Sequence, residues 1–423
     1  MLKLFFLLSL IGAWCQTSIV LTDPRATVPI GIPYFCKDNL LEKELSEAVE
    51  RNLQISGYFN VKPKESYIQR QTRCSDPRFI VPSDWSVLGV QYVVTGVISQ
   101  SGENIEGQFY LIDTNKGLVL GKSYSGPKEL ERVFAHKFSN EILKYFTGES
   151  GPFGSEIIYT TKVGRFKELA IMDMDGHNQR ILTATKGLAN SPNFDSKGKK
   201  AVYTDFRKAV PDVFIIDLLS KAVKQVTSTR DQEFSPVFLS DDELVVALAN
   251  PRGGSSLVVM DTSGNILKTL VSSLSDINVS PAIDKVNRYI YFVSDEQTGR
   301  PQVYRMPFGG GLAQRVSNVP SNYCSSPSVS PKGDRIAFVC RFEGGFNLFV
   351  AEPDGSNPSQ LTSFGRNEDP SWSPDGRYIA FSSSAARGIN SISIIRHDGR
   401  AFTTISKPFG GGDFAPDWGP VLY

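Results

Sequence analysis

The C-terminal two-thirds of the chain repeats one arrangement of apolar and polar positions. Segments such as "RYIAFSS", "RIAFVC", "DVFIIDL" and "SLVVMDT" are short apolar or alternating runs bounded by Gly, Asn, Asp or Pro. That pattern predicts antiparallel strands at hairpin spacing. Each set opens on a proline: "NSPNFDSKGKKAVYTD" from Asn190, "FSPVFLSDDELVVAL" from Phe234, "VSPAIDKVNRYIYFVS" from Val279, "SSPSVSPKGDRIAFVC" from Ser325, "DPSWSPDGRYIAF" from Asp369 and "APDWGP" from Ala415. The prolines, Pro192, Pro236, Pro281, Pro327, Pro370 and Pro416, are separated by 44, 45, 46, 43 and 46 residues. Within a unit a proline strand, a polar turn, an apolar strand, a third alternating strand and a short fourth strand follow one another. Four strands in each phased repeat of this length predict a β-propeller. The first unit, "SEIIYTTKVGRFKELAIMDMDGHNQRILT", has no proline strand, whereas "DFAPDWGPVLY" supplies one with nothing after it. The C-terminus is therefore expected to complete the first blade of a six-bladed ring, leaving no free inner edge.

Residues 16–147 carry a different pattern. In "DNLLEKELSEAVERNLQISG", Leu41, Leu45, Ala48, Val49 and Leu53 recur at helical spacing, with Asp38 placed to cap the start and Gly57 the end. A second amphipathic helix follows from "PKELERVFAHKFSNEILKYFTG", with Leu130, Val133, Phe134, Phe138 and Ile142 inward. Between them "VQYVVTGVIS", "IEGQFYLIDT" and "GLVLGKSY" read as strands. The expected organisation is two-domain: an N-terminal α/β domain at 16–147, a linker at 148–155, and an all-β six-bladed β-propeller at 156–423.

The first fifteen residues, "MLKLFFLLSLIGAWC", place Lys3 before an apolar run and Ala13 and Cys15 at the positions of a signal-peptidase cut. The run is shorter than the ~20 residues a spanning helix needs. Export with cleavage of 1–15 is the expectation; bulky Trp14 disfavours a lipid-bearing Cys15. Four cysteines remain. Cys324 and Cys340 flank the turn at Lys332–Gly333 about equally, which suits a cross-strand bridge, and Cys36–Cys74 would follow by elimination. Four buried free thiols fit the same spacing.

Charge and chemistry narrow the function by exclusion. With 45 basic against 44 acidic residues and no long basic cluster, the chain lacks the footprint of a nucleic-acid binder. No G-x-S-x-G elbow, P-loop or G-x-G-x-x-G is present, and His136, His177 and His397 lack zinc-ligand spacing. "DMDGHN", Asp173–Asn178, lacks the distal Glu and flanking helices of a calcium loop and matches "EPDGSN" and "RHDGR" as a turn. "SPDG" at 373–376 is replaced in sister units by "DSKG", "LSDD", "DKVN" and "SPKG", so its Asp and Gly are turn formers. No catalytic residue, metal or cofactor is expected. A ligand-binding propeller and a channel hydrolase or lyase are the other two classes; the second lacks a convergent His, Lys and carboxylate set.

The chain resembles the TolB family, periplasmic components of the Tol–Pal system, through "PIGIPYF" (29–35), "SDEQTGRPQVYRMPFGGG" (294–311) and "PSWSPDGRYIAFSS" (370–383). The resemblance implies a monomeric, non-enzymatic periplasmic adaptor that does not itself span the membrane. It implies that the propeller binds the peptidoglycan-associated lipoprotein Pal and the N-terminal segment a TolA-like inner-membrane protein, in support of outer-membrane integrity and envelope constriction in cell division. Here that segment is 16–27, beginning Gln16, Thr17, Ser18, Ile19, Val20, Leu21 and Thr22. Loops entering the proline strands share one mouth of the ring, which nominates Arg230, Asp231, Gln232, Glu233, Asp276, Asn278, Asn322, Tyr323, Arg366, Asn367 and Glu368 for the lipoprotein. Arg and Tyr are favoured at interface hot spots, so Tyr323 and Arg230 rank first. Charge reversal at Glu233 and Glu368 is expected to weaken binding while leaving melting unchanged.

Overall fold

The computed structural model describes residues 27–35, 40–67, 77–207, 210–229, 231–250, 253–385 and 388–423. Residues 16–22, Cys36, Asp38, Cys74 and Arg230 lie outside this set. Among the described residues the α/β domain has three α-helices, α1 (Leu40–Ser56), α2 (Pro82–Ser86) and α3 (Glu131–Thr147). Its five-stranded sheet runs Phe59–Val61, Val28–Gly31, Tyr92–Ser101, Asn104–Asp113, Gly117–Pro127. Val28–Gly31 pairs in parallel with both neighbours, and the last three strands form antiparallel hairpins. Leu45, Val49 and Leu53 of α1 meet Phe134, Phe138 and Ile142 of α3 over Phe109 and Leu111 of the sheet. Leu130 does not join them; a 3-10 turn occupies Lys128–Leu130 and leaves it exposed before α3 starts.

The remainder forms six four-stranded sheets, each in chain order except the first. That sheet pairs Asp413–Val421 with Ser155–Val163, so the C-terminal strand is the inner strand of blade 1. Blades 2 to 6 open with Ala189–Phe194, Gln232–Phe238, Asn278–Asp284, Cys324–Val329 and Asn367–Trp372. Trp372 and Trp418 are buried, as a role between blades requires.

The proline repeat has a cause beyond punctuation. In each inner strand the ladder register shifts around the proline, forming a β-bulge. A bulge leaves a backbone position unpaired, and proline has no N–H to leave unsatisfied there. The residue before it turns left-handed in all six blades: Ser191 (φ 51°), Ser235 (51°), Ser280 (51°), Ser326 (50°), Asp369 (53°) and Ala415 (45°). Each costs on the order of 1 kcal/mol for a non-glycine residue, which explains why only small or short polar residues precede these prolines.

The α/β domain sits on one end of the ring, the end made by turns joining first to second and third to fourth strands. Arg132 of α3 pairs with Asp175 and, at 3.4 Å, with Asp173 in the "DMDGHN" turn of blade 1. Arg377, directly after "SPDG", donates to Thr147 Oγ1 (3.0 Å), Ser150 O (3.2 Å) and Glu149 O (3.2 Å). Tyr378 donates its hydroxyl to Ser56 O at 3.0 Å, and Arg396 lies 4.0 Å over the Tyr58 ring. Gly57 (φ 67°) is required here, since a Cβ would stand 2.4 Å from that of Ala401. The segment 148–155 is wedged rather than loose: Phe153 is fully buried, and Tyr423 donates to its carbonyl at 3.0 Å.

Candidate docking site at the open end of the ring

The opposite end is built by loops that join second to third strands and lead into each inner strand. Every nominated propeller residue that the structure describes lies here. Their roles divide sharply by offset from the proline. Three positions before it stand Ala189, Glu233, Asn278, Cys324, Asn367 and Asp413, all buried at 1% exposure or less. Glu233 accepts from Thr227 Oγ1 at 3.3 Å and from Thr229 Oγ1, bracing its own loop. Burial pushes its carboxyl above the ordinary value, against the pull of those hydroxyls. Asn278 donates to Ser255 O at 3.0 Å. Asn367 donates to Phe364 O (2.9 Å) and Phe346 O (3.3 Å) and accepts from Ser383 Oγ (2.7 Å). These three side chains are occupied inside the blades. Charge reversal at Glu233 is thus a core substitution that lowers melting, and only Glu368 keeps the expectation of a surface test.

Asp231, Gln232 and Asn322 are exposed, and Asp276 is partly buried with its carboxylate accepting from Ser273 Oγ at 2.7 Å. Tyr323, Arg366 and Glu368 come together. The Tyr323 ring meets Phe346 edge-on at 5.7 Å, and the Arg366 guanidinium lies 4.9 Å over the same Phe346 ring. Arg366 Nε and Nη2 donate to the two Glu368 oxygens at 2.8 and 2.9 Å. A planar bidentate pair held over an aromatic ring is pre-oriented, so little side-chain freedom is lost when a partner covers it. Beside it Phe364 is 56% exposed and packs on Phe402 at 5.7 Å. Phe346 follows a second-to-third turn, Phe364 lies in the loop entering the inner strand of blade 6 and Phe402 follows a third-to-fourth turn; the sequence reading nominated polar, charged and tyrosine positions and so passed over these phenylalanines.

A second recurring feature braces this end. Thr183, Thr227, Ser317, Thr362 and Ser406 each accept the N–H of a third-strand residue 14 positions earlier, at 2.7–3.1 Å. Their signal was present as "ILT", "QVT", "RVS", "QLT" and "TIS" at the fourth strands. Between the two ends runs a channel of about 450 Å³ lined by the inner strands, with Asp369 and Asp417 in its wall. Asp417 accepts from Phe194 N–H (2.7 Å), Asn193 Nδ2 (3.2 Å) and Ser371 Oγ (3.1 Å), and burial pushes its carboxyl up to about 6. Among the described residues no group of three His, Cys, Asp or Glu is placed to hold a metal ion.

The family profile for the TolB amino-terminal domain matches residues 18–120, and that for the TolB beta propeller domain matches residues 143–422. The chain belongs to the TolB family. A Tol-Pal system protein TolB from Cereibacter sphaeroides is 29% identical over 207 residues, covering 47% of this chain and 46% of that protein. The chain thus spans about half the length of the curated TolB relatives it matches. The crystal structure of TolB from Acinetobacter baumannii superposes with a TM-score of 0.80 and 25% identity, over 93% of this chain and 97% of that one. A putative TolB from Agrobacterium tumefaciens shares the fold at 16% identity, with a TM-score of 0.50 over 63% of this chain and 98% of its own. Among the described residues no helix is long and apolar enough to cross a membrane.

Proposed function

We infer that this chain is a periplasmic, non-enzymatic adaptor of the Tol–Pal system. It docks a Pal-like lipoprotein on the open end of the propeller and a TolA-like inner-membrane protein through its N-terminal segment, Gln16–Thr22 foremost, and so supports envelope constriction and outer-membrane integrity. The reading is carried by one observation: both TolB domains match on one chain, in the family's order. The division of the ring's two ends supports it, since the α/β domain occupies one and leaves the Tyr323–Phe346–Arg366–Glu368 face clear on the other.

Calorimetric titration of the purified protein with the soluble domain of such a lipoprotein tests it. Tyr323→Ala and Arg366→Ala are each expected to weaken binding by roughly 10- to 100-fold, the range of hot-spot truncations. Melting should stay within about 2 °C, because surface substitutions outside buried networks change little. Full affinity in the double variant would place the docking face elsewhere.

A further inference from the structure

The position three residues before each proline has a register partner on the second strand. In blade 6 the pair is Asn367 and Ser383, joined by a 2.7 Å hydrogen bond; in blade 1 it is Asp413 and Thr161, also at 2.7 Å. In blade 5 the same pair is Cys324 and Cys340, and the structure joins them by a disulfide. Both sulfur-bearing residues are fully buried. Blades 5, 6 and 1 therefore carry a contiguous run of side-chain latches across the first two strands, and one of them is covalent. Blades 2 and 3 offer Ala189 opposite Asp205 and Glu233 opposite Leu248, and in blade 4 Asn278 stands opposite Ser294 but donates to Ser255 O of the neighbouring blade instead.

The disulfide stands beside both halves of the half-buried Tyr323–Phe346 ring pair. Cys324 follows Tyr323. Cys340 precedes Arg341, whose register partner is Phe346 and whose N–H donates to Tyr323 O at 2.9 Å. We propose that the Cys324–Cys340 disulfide is a positioning latch for the docking face, fixing Tyr323 against Phe346 and Arg366, and that its oxidation state sets the affinity of that face. In its formation two thiols release two protons and two electrons to a disulfide oxidant, which departs as two thiols while the Sγ–Sγ bond forms. An exported chain meets such an oxidant and a cytosolic one does not. As far as it concerns affinity, the proposal rests on the docking reading above.

Three proteins separate a positioning role from general stapling: the oxidised wild type, Cys324→Ser/Cys340→Ser, and Cys324→Asn/Cys340→Ser, which installs the blade 6 pair in blade 5. Amide hydrogen exchange and lipoprotein titration are read on all three. The serine pair should speed exchange at Tyr323, Cys324 and Arg341 while sparing blades 2 to 4, and should weaken binding about 10-fold, the scale on which a misplaced hot spot is felt. The asparagine–serine pair should recover most of both. Unchanged exchange at these three amides in the serine pair would overturn the proposal. So would equal acceleration around the whole ring, which marks a bond that only staples the fold. Absence of binding by the oxidised wild type would defeat the docking reading instead, and the exchange comparison would still decide the latch.

Discussion

The two ends of the ring arise from the same six blades yet present opposite surfaces. At the closed end, tight turns such as "SPDG" and "DMDG" hold their acids in local hydrogen bonds and offer Arg377, Tyr378, Arg396 and Asp175 to the α/β domain. At the open end the connections are longer and carry Tyr323, Phe346, Phe364 and Arg366 outward over a buried layer of latches. Asp175 shows how completely the closed end is used. Burial opposes its ionisation, but the His177 hydrogen bond and the Arg132 charge overcome that and hold its carboxyl below the ordinary range. A carboxylate so engaged is an internal joint. The open end keeps its pairs to itself, as Arg366 and Glu368 do, and leaves their faces bare.

One strand spans both ends, and removing it is the severest test of the division. Asp413 sits at the open end bonded to Thr161, Trp418 fills the wall between blades 1 and 6, and Tyr423 reaches Asn140 and Phe153 of the closed end. Deletion of 414–423 removes a buried Trp, worth ~3–5 kcal/mol on truncation alone, and reopens the inner edge of blade 1. Thermal unfolding should shift down by more than about 10 °C and lose its single cooperative step. Unchanged melting would mean that the ring does not depend on this closure.

The channel between the ends gives the next largest effect, and it has a sign. The Asp417 carboxyl is raised from 3.8 to about 6 by burial. Between those values the folded state binds the proton more tightly than the unfolded state, so the contribution of this carboxyl to stability is fullest below about pH 3.8 and declines as pH rises through 6. A rise of that size corresponds to at most ~3 kcal/mol. Asp417→Asn should abolish this decline between pH 4 and 6 in denaturant titrations, because the amide still accepts from Phe194 N–H and carries no charge. An identical slope in the variant would assign the titration to another group.

The ring was legible because its period is long, phased and written in prolines, and the missing proline strand of blade 1 could be matched to the surplus one at the C-terminus. The open-end face was only half legible. Polar residues at a strand start look solvent-facing, yet Glu233, Asn278 and Asn367 fall in the same column as Ala189 and Cys324. A column that mixes Ala and Cys with acids and amides is a buried one. The two short parallel strands of the α/β domain were not visible either. Val28–Gly31 is too brief to show alternation, and its place is set by neighbours far along the chain. The closed end hid for a different reason: the turn motif was correctly seen as turn, while the residues just past it, Arg377 and Tyr378, owe their role to a second domain.

Arg377 offers the finest cut between the ends. Its guanidinium is 11% exposed and donates to the Ser150 and Glu149 carbonyls and the Thr147 hydroxyl, whereas the Glu149 carboxylate it also faces is 56% exposed. Hydrogen bonds from a charged donor are worth ~1.5–3 kcal/mol, and an exposed ion pair ~0–1 kcal/mol. Arg377→Ala should therefore loosen the α/β domain by about 2 kcal/mol, read as an earlier, separate unfolding step in calorimetry. Glu149→Ala should move that step by less than about 1 kcal/mol. Lipoprotein affinity should be the same in both, because neither residue reaches the open end. An equal loss in the two variants would show that the Glu149 carboxylate, which also accepts from Lys332 at 2.9 and 3.0 Å, holds this contact rather than the carbonyls, and the closed end would then be held by screened charge and fail at high salt.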